Sequence, residues 1–426
     1  MNQIPLITTT TGKWASAPST FVYNMQLPVH GWFRFSAGFS AEWAANVIES
    51  AKPRDEAVVL DPFAGVATTL LAGEEVGVAS MGIEAQPFVA RVGEAKLLWH
   101  ADVERFLSLA LTVLKKAKNS EATTSEYPPL IHKCYPPGVL RDLHRLKLAW
   151  QEEDRGDEAS RLVWLALASI LRVSSPVGTA PWQYVLPGKS KTKHVLPYKA
   201  FEVQMERMAH DMTMRQSAGV MPKSKIVLGD ARDCSTITSA SVNLVVTSPP
   251  YPNNFDYADA TRLEMSFFGE VRGWGDLQDV ARRNLIVSCS QHASVVGVPL
   301  EETLADLART RIHAEITRVC RTLEEERLSH GGKKDYHLMV AAYFSDMKRV
   351  WASLRRVCQP KSVVCFVVGD SAPYGVYVPV DRWLGDLALD SGFAWYTFER
   401  TRDRNVKWRN RKHRVPLHEG RLWVYG

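Results

Sequence analysis

The chain has 426 residues, of which 46% are apolar and 23% charged, with 52 basic and 46 acidic side chains and a net charge of +6. This is an ordinary globular composition, which excludes a disordered, collagen-like or disulfide-scaffolded protein. The length allows two or three domains, or one large domain with an insertion. The surplus of positive charge permits a polyanionic partner without requiring one.

Cysteine usage and hydropathy indicate a reducing compartment and no membrane segment. The six cysteines are scattered and form no CxxC pair, which argues against a disulfide framework and against a zinc module. The N-terminus lacks a basic start followed by an apolar run, so no secretory signal is expected. The longest apolar stretch, residues 162–171, is shorter than the ~18 residues of a membrane span. We therefore expect a soluble, cytoplasmic protein that holds no metal.

The first part of the chain has the pattern strand, loop, helix, strand. AVVL (57–60) is a short strand, DPFAGVATT (61–69) is a loop of small residues, and TLLAGEEVG (69–77) continues at helical spacing. ASMGIEA (79–85) returns to strand, and a second helix is predicted over 87–99. This alternation is typical of a parallel sheet.

The texture changes between residues 101 and 222. Apolar residues recur there at helical spacing in 101–118, 138–153, 158–172 and 198–214. Residues 174–199 carry prolines, glycines and lysines, and this composition predicts an exposed, mobile loop. We interpret 101–222 as a helical insertion between an N-terminal part (1–100) and a C-terminal part (223–426) of one domain.

The α/β pattern resumes after the insertion. Strands are predicted to end near Asp230 and at Ser248, and a buried strand is predicted over 362–370. Two last strands, 393–401 and 420–426, are predicted to form an antiparallel hairpin. Helices are predicted in four segments: 255–270, 300–328, 341–358 and 381–392.

A small-residue loop follows the first strand. Asp61 ends that strand, and Gly65 lies where a ligand could approach the backbone closely. Glu84 stands at the end of the next strand, 23 residues after Asp61, where an acid suits a ribose diol. The alternative is an ordinary strand-to-helix turn with a surface glutamate.

A second polar loop, Thr247-Ser248-Pro249-Pro250-Tyr251, follows a later strand. Two consecutive prolines fix the backbone and remove two N–H groups, which leaves carbonyl oxygens beside a hydroxyl and an aromatic ring. Such an arc suits a planar NH₂ donor lying against the ring. The alternative is a strand-ending turn with Tyr251 in the core.

Together, DPFAG (61–65) and SPPY (248–251) resemble the loops of the S-adenosylmethionine-dependent DNA amino-methyltransferases, the N4-cytosine and N6-adenine family, in its SPPY form. GWFRFSAGF (31–39) is similar to the segment that precedes the cofactor loop, and Gly229-Asp230-Ala231 to the motif beside the adenine ring. The resemblance implies an α/β fold of the Rossmann-like class I type. Its mostly parallel seven-stranded sheet has an antiparallel C-terminal hairpin, and here a helical insertion is added.

The resemblance also implies a cofactor, S-adenosyl-L-methionine, and the residues that bind it. The family's usual second glycine of the cofactor loop is Ala67 in this chain. The implied cofactor-binding residues are Phe35, Phe39, Asp61, Pro62, Phe63, Gly65, Thr68, Glu84, Asp230 and Ala231.

By the same resemblance, Ser248, Pro249, Pro250 and Tyr251 form the catalytic loop. The Ser248 hydroxyl and the Pro249 carbonyl would accept the hydrogens of an exocyclic amine, and Tyr251 would stack on a base flipped out of double-stranded DNA. No metal and no cysteine nucleophile are needed. Serine at the first position favours cytosine N4, and adenine N6 is the runner-up.

Other functions stay open at this point. Glutamine side-chain methylation is disfavoured by Ser248, and RNA methylation by the lack of a recognisable RNA-binding module. A non-catalytic nucleic-acid-binding protein on the same scaffold is the alternative from another class. A cognate restriction or defence system is an expected partner of a DNA methyltransferase.

Contacts to DNA are expected from basic clusters and from the segment after the SPPY loop, where Asn253 and Asn254 could line the base pocket. For the basic clusters the alternative is a solvated face. His330 to Lys334 is interpreted as a flexible, solvated turn, and Cys289 and His292 as loop or core residues. The basic candidates are Lys189, Lys191, Lys193 and His194 in the insertion, and Arg402, Arg404, Lys407, Arg409, Arg411, Lys412, His413 and Arg414 near the C-terminus.

Overall fold

The computed structural model describes residues 21–51, 57–180, 184–191, 193–221, 223–404 and 415–426. Within them, nine strands are numbered in chain order. These are β1 (Val58–Asp61), β2 (Ala79–Glu84), β3 (Val177–Thr179), β4 (Val185–Ser190), β5 (Ser224–Leu228), β6 (Val242–Thr247), β7 (Cys358–Gly369), β8 (Trp395–Arg404) and β9 (Leu417–Tyr425).

Seven of the described strands form one sheet in the order β5-β2-β1-β6-β7-β9-β8. Five adjacent strands are parallel to one another: β5, β2, β1, β6 and β7. β9 lies between β7 and β8 and is antiparallel to both. The chain moves outward from β1 through β2 to β5, and later returns to the other side of β1 through β6. This reversal creates a topological switch point between β1 and β6, where ligands of open α/β sheets bind.

The described helices cover both faces of this sheet. Their bounds are α1 (Ala41–Ala51), α2 (Thr68–Glu75), α3 (Pro87–Leu97), α4 (Val103–Asn119), α5 (Pro129–Cys134), α6 (Pro137–Glu153), α7 (Glu158–Ser174), α8 (Pro197–Ser217), α9 (Arg262–Phe268), α10 (Leu277–Val280), α11 (Ser290–Val296), α12 (Leu300–Asp306), α13 (His313–Ser329), α14 (Tyr336–Val357) and α15 (Val380–Asp390).

The central strands are apolar on both sides because helices bury both faces. Successive side chains of a strand point to opposite faces. Val59 and Leu244 therefore pack with α1, whereas Leu60 and Val245 pack with α13, α14 and α15. On the second face Trp351 of α14 stacks on a β7 side chain, with ring centroids 4.7 Å apart. The sequence-predicted fold class is confirmed.

The segment between β2 and β5 is helical, as predicted, and contains α4, α6, α7 and α8. It does not stand apart from the sheet. One apolar cluster joins Leu70 of α2 and Val92 of α3 with Phe106, Leu165 and other buried side chains of the inserted helices. The inserted helices thus extend the core that supports the loop after β1.

The prediction of a mobile loop over residues 174–199 was wrong in part. β3 and β4 pair there as an antiparallel hairpin, which the Ala180 N–H closes by donating to the Tyr184 carbonyl at 2.8 Å. The sequence pattern does not predict β4, because Pro187 and Gly188 lie inside it and both residues are rare in central strands. The hairpin is exposed, so its ladder tolerates them.

Two predicted helices differ from the observed ones. The segment 255–270 becomes helical at Arg262, after a 3₁₀ turn over Asp259–Thr261. The segment 300–328 is divided into α12 and α13. Asp390 stabilises this break, because its carboxylate accepts the Arg311 N–H at 2.8 Å, a tertiary contact that periodicity does not reveal. Among the described helices, none has the length and apolar character needed to cross a membrane.

Candidate active site

The loop after β1 (residues 61–69, the DPFAG loop) and the loop after β6 (residues 248–251, the SPPY loop) open onto the same cleft. Phe63 from the first loop, and Ser248 and Pro250 from the second, all line it. This main cleft lies at the switch point and is open to solvent on one side. Clefts at this position of an open α/β sheet commonly bind small molecules. The two loops meet at one sheet edge, as the sequence predicts.

Asp61 joins the two loops directly. Its carboxylate accepts hydrogen bonds from the Phe63 N–H (3.0 Å), the Thr69 hydroxyl (2.6 Å) and the Thr247 hydroxyl (2.5 Å). The side chain is fully buried, and burial raises its pKa to about 6 against the effect of these hydrogen bonds. Asp61 therefore ties the DPFAG loop and α2 to the residue that precedes Ser248, and it does not line the cleft.

Glu84 holds the DPFAG loop from the neighbouring strand. One carboxylate oxygen accepts the Gly65 N–H at 2.9 Å and the other accepts the Gln86 N–H at 2.8 Å. Gly65 has φ +52°, a left-handed conformation that favours glycine. Burial, and then the nearby Asp61 charge, raise the pKa of Glu84 to about 7. Glu84 lines the main cleft, where a carboxylate can accept hydrogen bonds from hydroxyl donors.

Nine of the ten residues predicted to bind the cofactor line the main cleft, and Asp61 is the exception. Aromatic side chains form much of the wall, and Asp230 lies beyond the end of β5 with its carboxylate held by Arg232 at 2.7 Å. The nine are Phe35, Phe39, Pro62, Phe63, Gly65, Thr68, Glu84, Asp230 and Ala231.

Ala67, which replaces the family's second glycine, has φ +68° and ψ +32°. It occupies the left-handed region at the start of α2, where a Cβ atom costs roughly 1–2 kcal/mol. Its methyl group is fully buried. The left-handed backbone explains why a glycine suits this position, and the alanine methyl group is accommodated in the core.

The SPPY loop presents one hydroxyl and one free carbonyl. The Ser248 hydroxyl donates to the Val367 carbonyl of β7 at 3.3 Å and also neighbours the Tyr251 hydroxyl. Within the described residues, the Pro249 carbonyl accepts no hydrogen bond. The loop is held in place at Tyr251, whose N–H donates to the Tyr257 hydroxyl at 3.3 Å.

Tyr251, the last residue of the SPPY loop, lies against the end of β8, and neither it nor Pro249 lines the main cleft. The Arg404 guanidinium is 5.4 Å from the centre of its ring, and the Ser248 side chain is a hydrogen-bonding neighbour of its hydroxyl. Burial raises the pKa of Tyr251 well above its usual range, so the phenol stays neutral. Arg404 also donates to the Asp370 carbonyl at 2.7 Å and is therefore fixed in position.

The basic residues that were predicted to contact DNA differ in their exposure and in their partners. Lys189 and Lys193 are exposed on or after β4. Lys191 is half-buried and donates to the Arg172 carbonyl at 2.7 Å, and burial lowers its pKa. Arg404 lies against Tyr251, as above. Arg402 donates to the Glu419 carboxylate at 2.8 Å. The remaining C-terminal candidates lie outside the described residues: Lys407, Arg409, Arg411, Lys412, His413 and Arg414.

Asn253 and Asn254 follow the SPPY loop and have structural partners. Asn254 has φ +65°, and its side-chain carbonyl accepts the Ser290 N–H at 2.9 Å at the start of α11. The Asn253 side-chain oxygen accepts the Phe255 N–H at 3.2 Å. Both asparagines line a second cleft, which shares no residue with the main cleft.

Sequence reasoning missed several residues of the main cleft. Asn284, Leu285 and Ile286 form one wall, and their segment carries no motif. Gln86 also lines the cleft, and its side-chain carbonyl caps α3 by accepting the Val89 N–H at 2.7 Å. Gln86 follows Glu84 and precedes a proline at the first helical position, a helix-start signal that could have identified it.

Asp370, Asp381 and His418 are a set of metal-capable side chains that converges within the described residues. The two imidazole nitrogens of His418 lie 2.7 Å from Asp370 and 3.5 Å from Asp381. Burial raises the pKa of Asp370 to about 6. His418 lies between the two carboxylates, so we interpret this cluster as a polar brace that connects the start of β9 with Asp370 and with α15.

The sequence of the chain was compared with those of known proteins. No model of a known protein family matches the chain. The chain is 24% identical over 410 residues to the type II methyltransferase M.AvaI of Nostoc sp.. The aligned region covers 88% of this chain and 81% of that protein. The chain is 21% identical over 406 residues to the type II methyltransferase M.BsoBI of Geobacillus stearothermophilus, covering 87% and 79%.

The chain is similar to type II methyltransferases. The similarity extends over both loops and the insertion between them, since it covers almost nine tenths of the chain.

Proposed function

We propose that this protein is a DNA methyltransferase. It transfers the methyl group of S-adenosyl-L-methionine to an exocyclic amine of a base in a specific duplex sequence. The observation that carries the proposal is the direct Asp61–Thr247 contact, which places the DPFAG and SPPY loops on one cleft. The similarity to type II methyltransferases supports the same class of reaction. A cognate restriction system is its proposed partner.

The main cleft suits this cofactor. Its aromatic and aliphatic walls, among them Phe35 and Ile286, fit an adenine ring and a methionine chain, and Glu84 offers acceptors for a ribose diol. A Cβ atom at Gly65 would lie 3.5 Å from the Phe35 ring. That is an ordinary van der Waals distance, so the left-handed backbone of Gly65, and not a lack of space, favours glycine here. The cofactor, when bound, supplies an electrophilic methyl group on a sulfonium.

The SPPY loop supplies acceptors for the target amine. The lone pair of an exocyclic amine is delocalised into the base, so the amine is a poor nucleophile. The Ser248 hydroxyl and the Pro249 carbonyl would each accept an N–H and favour a pyramidal nitrogen. The Val367 carbonyl accepts the hydrogen bond that the Ser248 hydroxyl donates, so the Ser248 oxygen would accept the N–H of the amine through a lone pair.

Tyr251 would hold the extruded base by stacking. Arg404 covers one region of the ring at 5.4 Å, so the base is assigned to the remaining face. A base inside a duplex cannot reach this loop, hence flipping is required. Each of these roles is positional or electrostatic, and the buried cysteines, such as Cys289 with a pKa raised by burial to about 12, take no part.

We propose cytosine N4 as the target, with adenine N6 as the second candidate. The argument is Ser248, because the resembling enzymes with SPPY mostly act on cytosine and those with Asp or Asn at this position mostly on adenine. The polar geometry of the loop suits either amine.

The test is methyl transfer from tritiated S-adenosyl-L-methionine to duplex DNA, followed by nucleoside analysis. We expect label in DNA as N4-methylcytosine. N6-methyladenine would correct the target, and label only in RNA would correct the substrate. Binding of DNA without any transfer would leave the non-catalytic alternative and refute the proposal.

A further inference from the structure

A second cleft opens beside the chain that leaves the SPPY loop. Asn253, Asn254 and Asp370 line it, together with the turn before α14 and the 3₁₀ turn Pro373–Gly375. No residue lines both clefts. The Ser371 hydroxyl donates to the Pro252 carbonyl at 2.6 Å and ties the floor of this second cleft to the chain that leaves the SPPY loop.

This second cleft, which we call the basic cleft, is lined by Lys333, Lys334 and Arg404. Both lysines are exposed, and Lys333 makes no ion pair within the described residues. Lys334 donates to the Tyr336 hydroxyl at 3.2 Å. The acidic residue of the lining, Asp370, is 1% exposed and engaged by neighbours, so it presents little negative charge to a ligand.

The two lysines are carried on a built frame. The preceding glycines, Gly331 and Gly332, have φ +79° and +70°, and the Gly332 N–H donates to the Arg327 carbonyl at 3.0 Å to cap α13. The His330 ring stacks on Tyr374 with centroids 4.3 Å apart. The segment is an exposed turn, as the sequence predicts, and the structure adds that it caps α13 and contacts Tyr374.

We propose that the basic cleft binds backbone phosphates of the target DNA strand beside the extruded nucleotide, with Lys333 and Lys334 as the phosphate contacts. This inference rests on the proposed function. Adjacent ammonium groups on a fixed turn, next to the loop that must receive the base, match the phosphate contacts that position a protein on a duplex. Asn253 and Asn254 connect the two sites along the chain.

The test is the affinity of the whole protein for a duplex of about 20 base pairs, measured by fluorescence anisotropy over a salt series. For Lys333→Ala/Lys334→Ala we expect about tenfold weaker binding near physiological salt and a salt slope smaller by about two, one for each phosphate that is no longer neutralised. The affinity for S-adenosyl-L-methionine, measured by calorimetry, should stay unchanged and shows that the fold is intact.

The matched control is Lys115→Ala/Lys361→Ala. It removes the same net charge from exposed lysines on α4 and at the start of β7, outside both clefts. Equal losses in the two double variants would mean that only net charge matters and would overturn the inference. An unchanged affinity and salt slope in Lys333→Ala/Lys334→Ala, or a wild-type protein that does not bind duplex DNA, would overturn it as well. Failure of the proposed function is distinguishable, because it appears as DNA binding without methyl transfer in the wild-type protein.

Discussion

The SPPY loop lines the main cleft, the two residues Asn253 and Asn254 just after it line the basic cleft, and the walls of the two clefts differ in chemistry. The main cleft has aromatic and aliphatic walls with partly shielded carboxylates, such as Glu84, at one end. The basic cleft has exposed lysines, an arginine and tyrosines. Enclosed apolar walls suit a small ligand that is desolvated when it binds. Exposed cations suit a polyanion that stays largely hydrated. The comparison teaches that neighbouring segments of one chain, the SPPY loop and the two asparagines after it, can line two clefts of different chemistry.

The largest expected effect separates chemistry from binding at the SPPY loop. Ser248→Ala should lower the turnover of methyl transfer by about 10²–10³, because the reacting amine then has one acceptor fewer. Affinity for S-adenosyl-L-methionine and for duplex DNA should change little. Steady-state kinetics and calorimetry measure the two quantities.

Ser50→Ala, on the exposed surface of α1, is the control for Ser248→Ala and should behave as wild type. A Ser248→Ala enzyme with full turnover would remove this residue from the mechanism. Tyr251→Phe should keep most activity and Tyr251→Ala should lose it, because only the first retains the stacking ring.

The next effect tests whether Asp61 couples the two loops. Asp61→Ala leaves three buried donors without their acceptor, so we expect a decrease of about 3 kcal/mol in the free energy of unfolding, together with weaker cofactor binding. Denaturant unfolding and calorimetry check both. Wild-type cofactor affinity in this variant would contradict the assignment of the DPFAG loop.

Isosteric variants resolve the two branches of the Asp61 network. Thr247→Val removes the hydrogen bond toward the SPPY loop and should lower kcat more than cofactor affinity. Thr69→Val removes the bond toward α2 and should affect cofactor affinity more. Equal changes in both variants would indicate a purely structural role for Asp61.

A smaller effect concerns the pH dependence of the main cleft. Burial raises the pKa of Glu84 to about 7, so below pH 7 its carboxyl is protonated and is a poorer acceptor for ribose hydroxyls. Cofactor affinity should rise about tenfold from pH 6 to pH 8. Calorimetry on wild type and on Glu84→Gln checks this, since the amide does not titrate and should show no such rise.

The same group makes a prediction about stability. Because the folded-state pKa of Glu84 is raised, its contribution to stability is fully present below the unfolded pKa and disappears as pH rises through about 7. The free energy of unfolding of wild type should therefore fall relative to Glu84→Gln between pH 5 and pH 8. A constant difference over this range would show that the Glu84 pKa is not raised.

The smallest effect is at Ala67. Ala67→Gly relieves a left-handed Cβ but frees the unfolded chain, so we expect a net stabilisation of about 0.5–1 kcal/mol. Ala72→Gly, inside α2, is the matched control and should destabilise by about 1 kcal/mol. Thermal unfolding of both variants would show whether the backbone at Ala67 is strained.

Much of the fold and of the main cleft could be predicted, because the signals are local. Alternating strand and helix patterns, with acids at strand ends, require only that parallel strands finish at one edge of a sheet. The hairpin β3–β4 could not be predicted, since Pro187 and Gly188 oppose a strand locally and the Tyr184 side chain anchors it from a distance. The Tyr184 hydroxyl accepts the Asp256 N–H at 2.7 Å.

The sequence by itself therefore determined the class of sheet, the two loops and their shared edge, because hydrophobic period and backbone chemistry act over a few residues. Only the tertiary structure decided which side chains face a ligand. It assigned Asp61 to a buried junction, brought Asn284 to Ile286 into the main cleft, and set Lys333 and Lys334 beside the SPPY loop. The physical reason is that these placements depend on packing and hydrogen bonds between segments far apart in the chain, which no local pattern records.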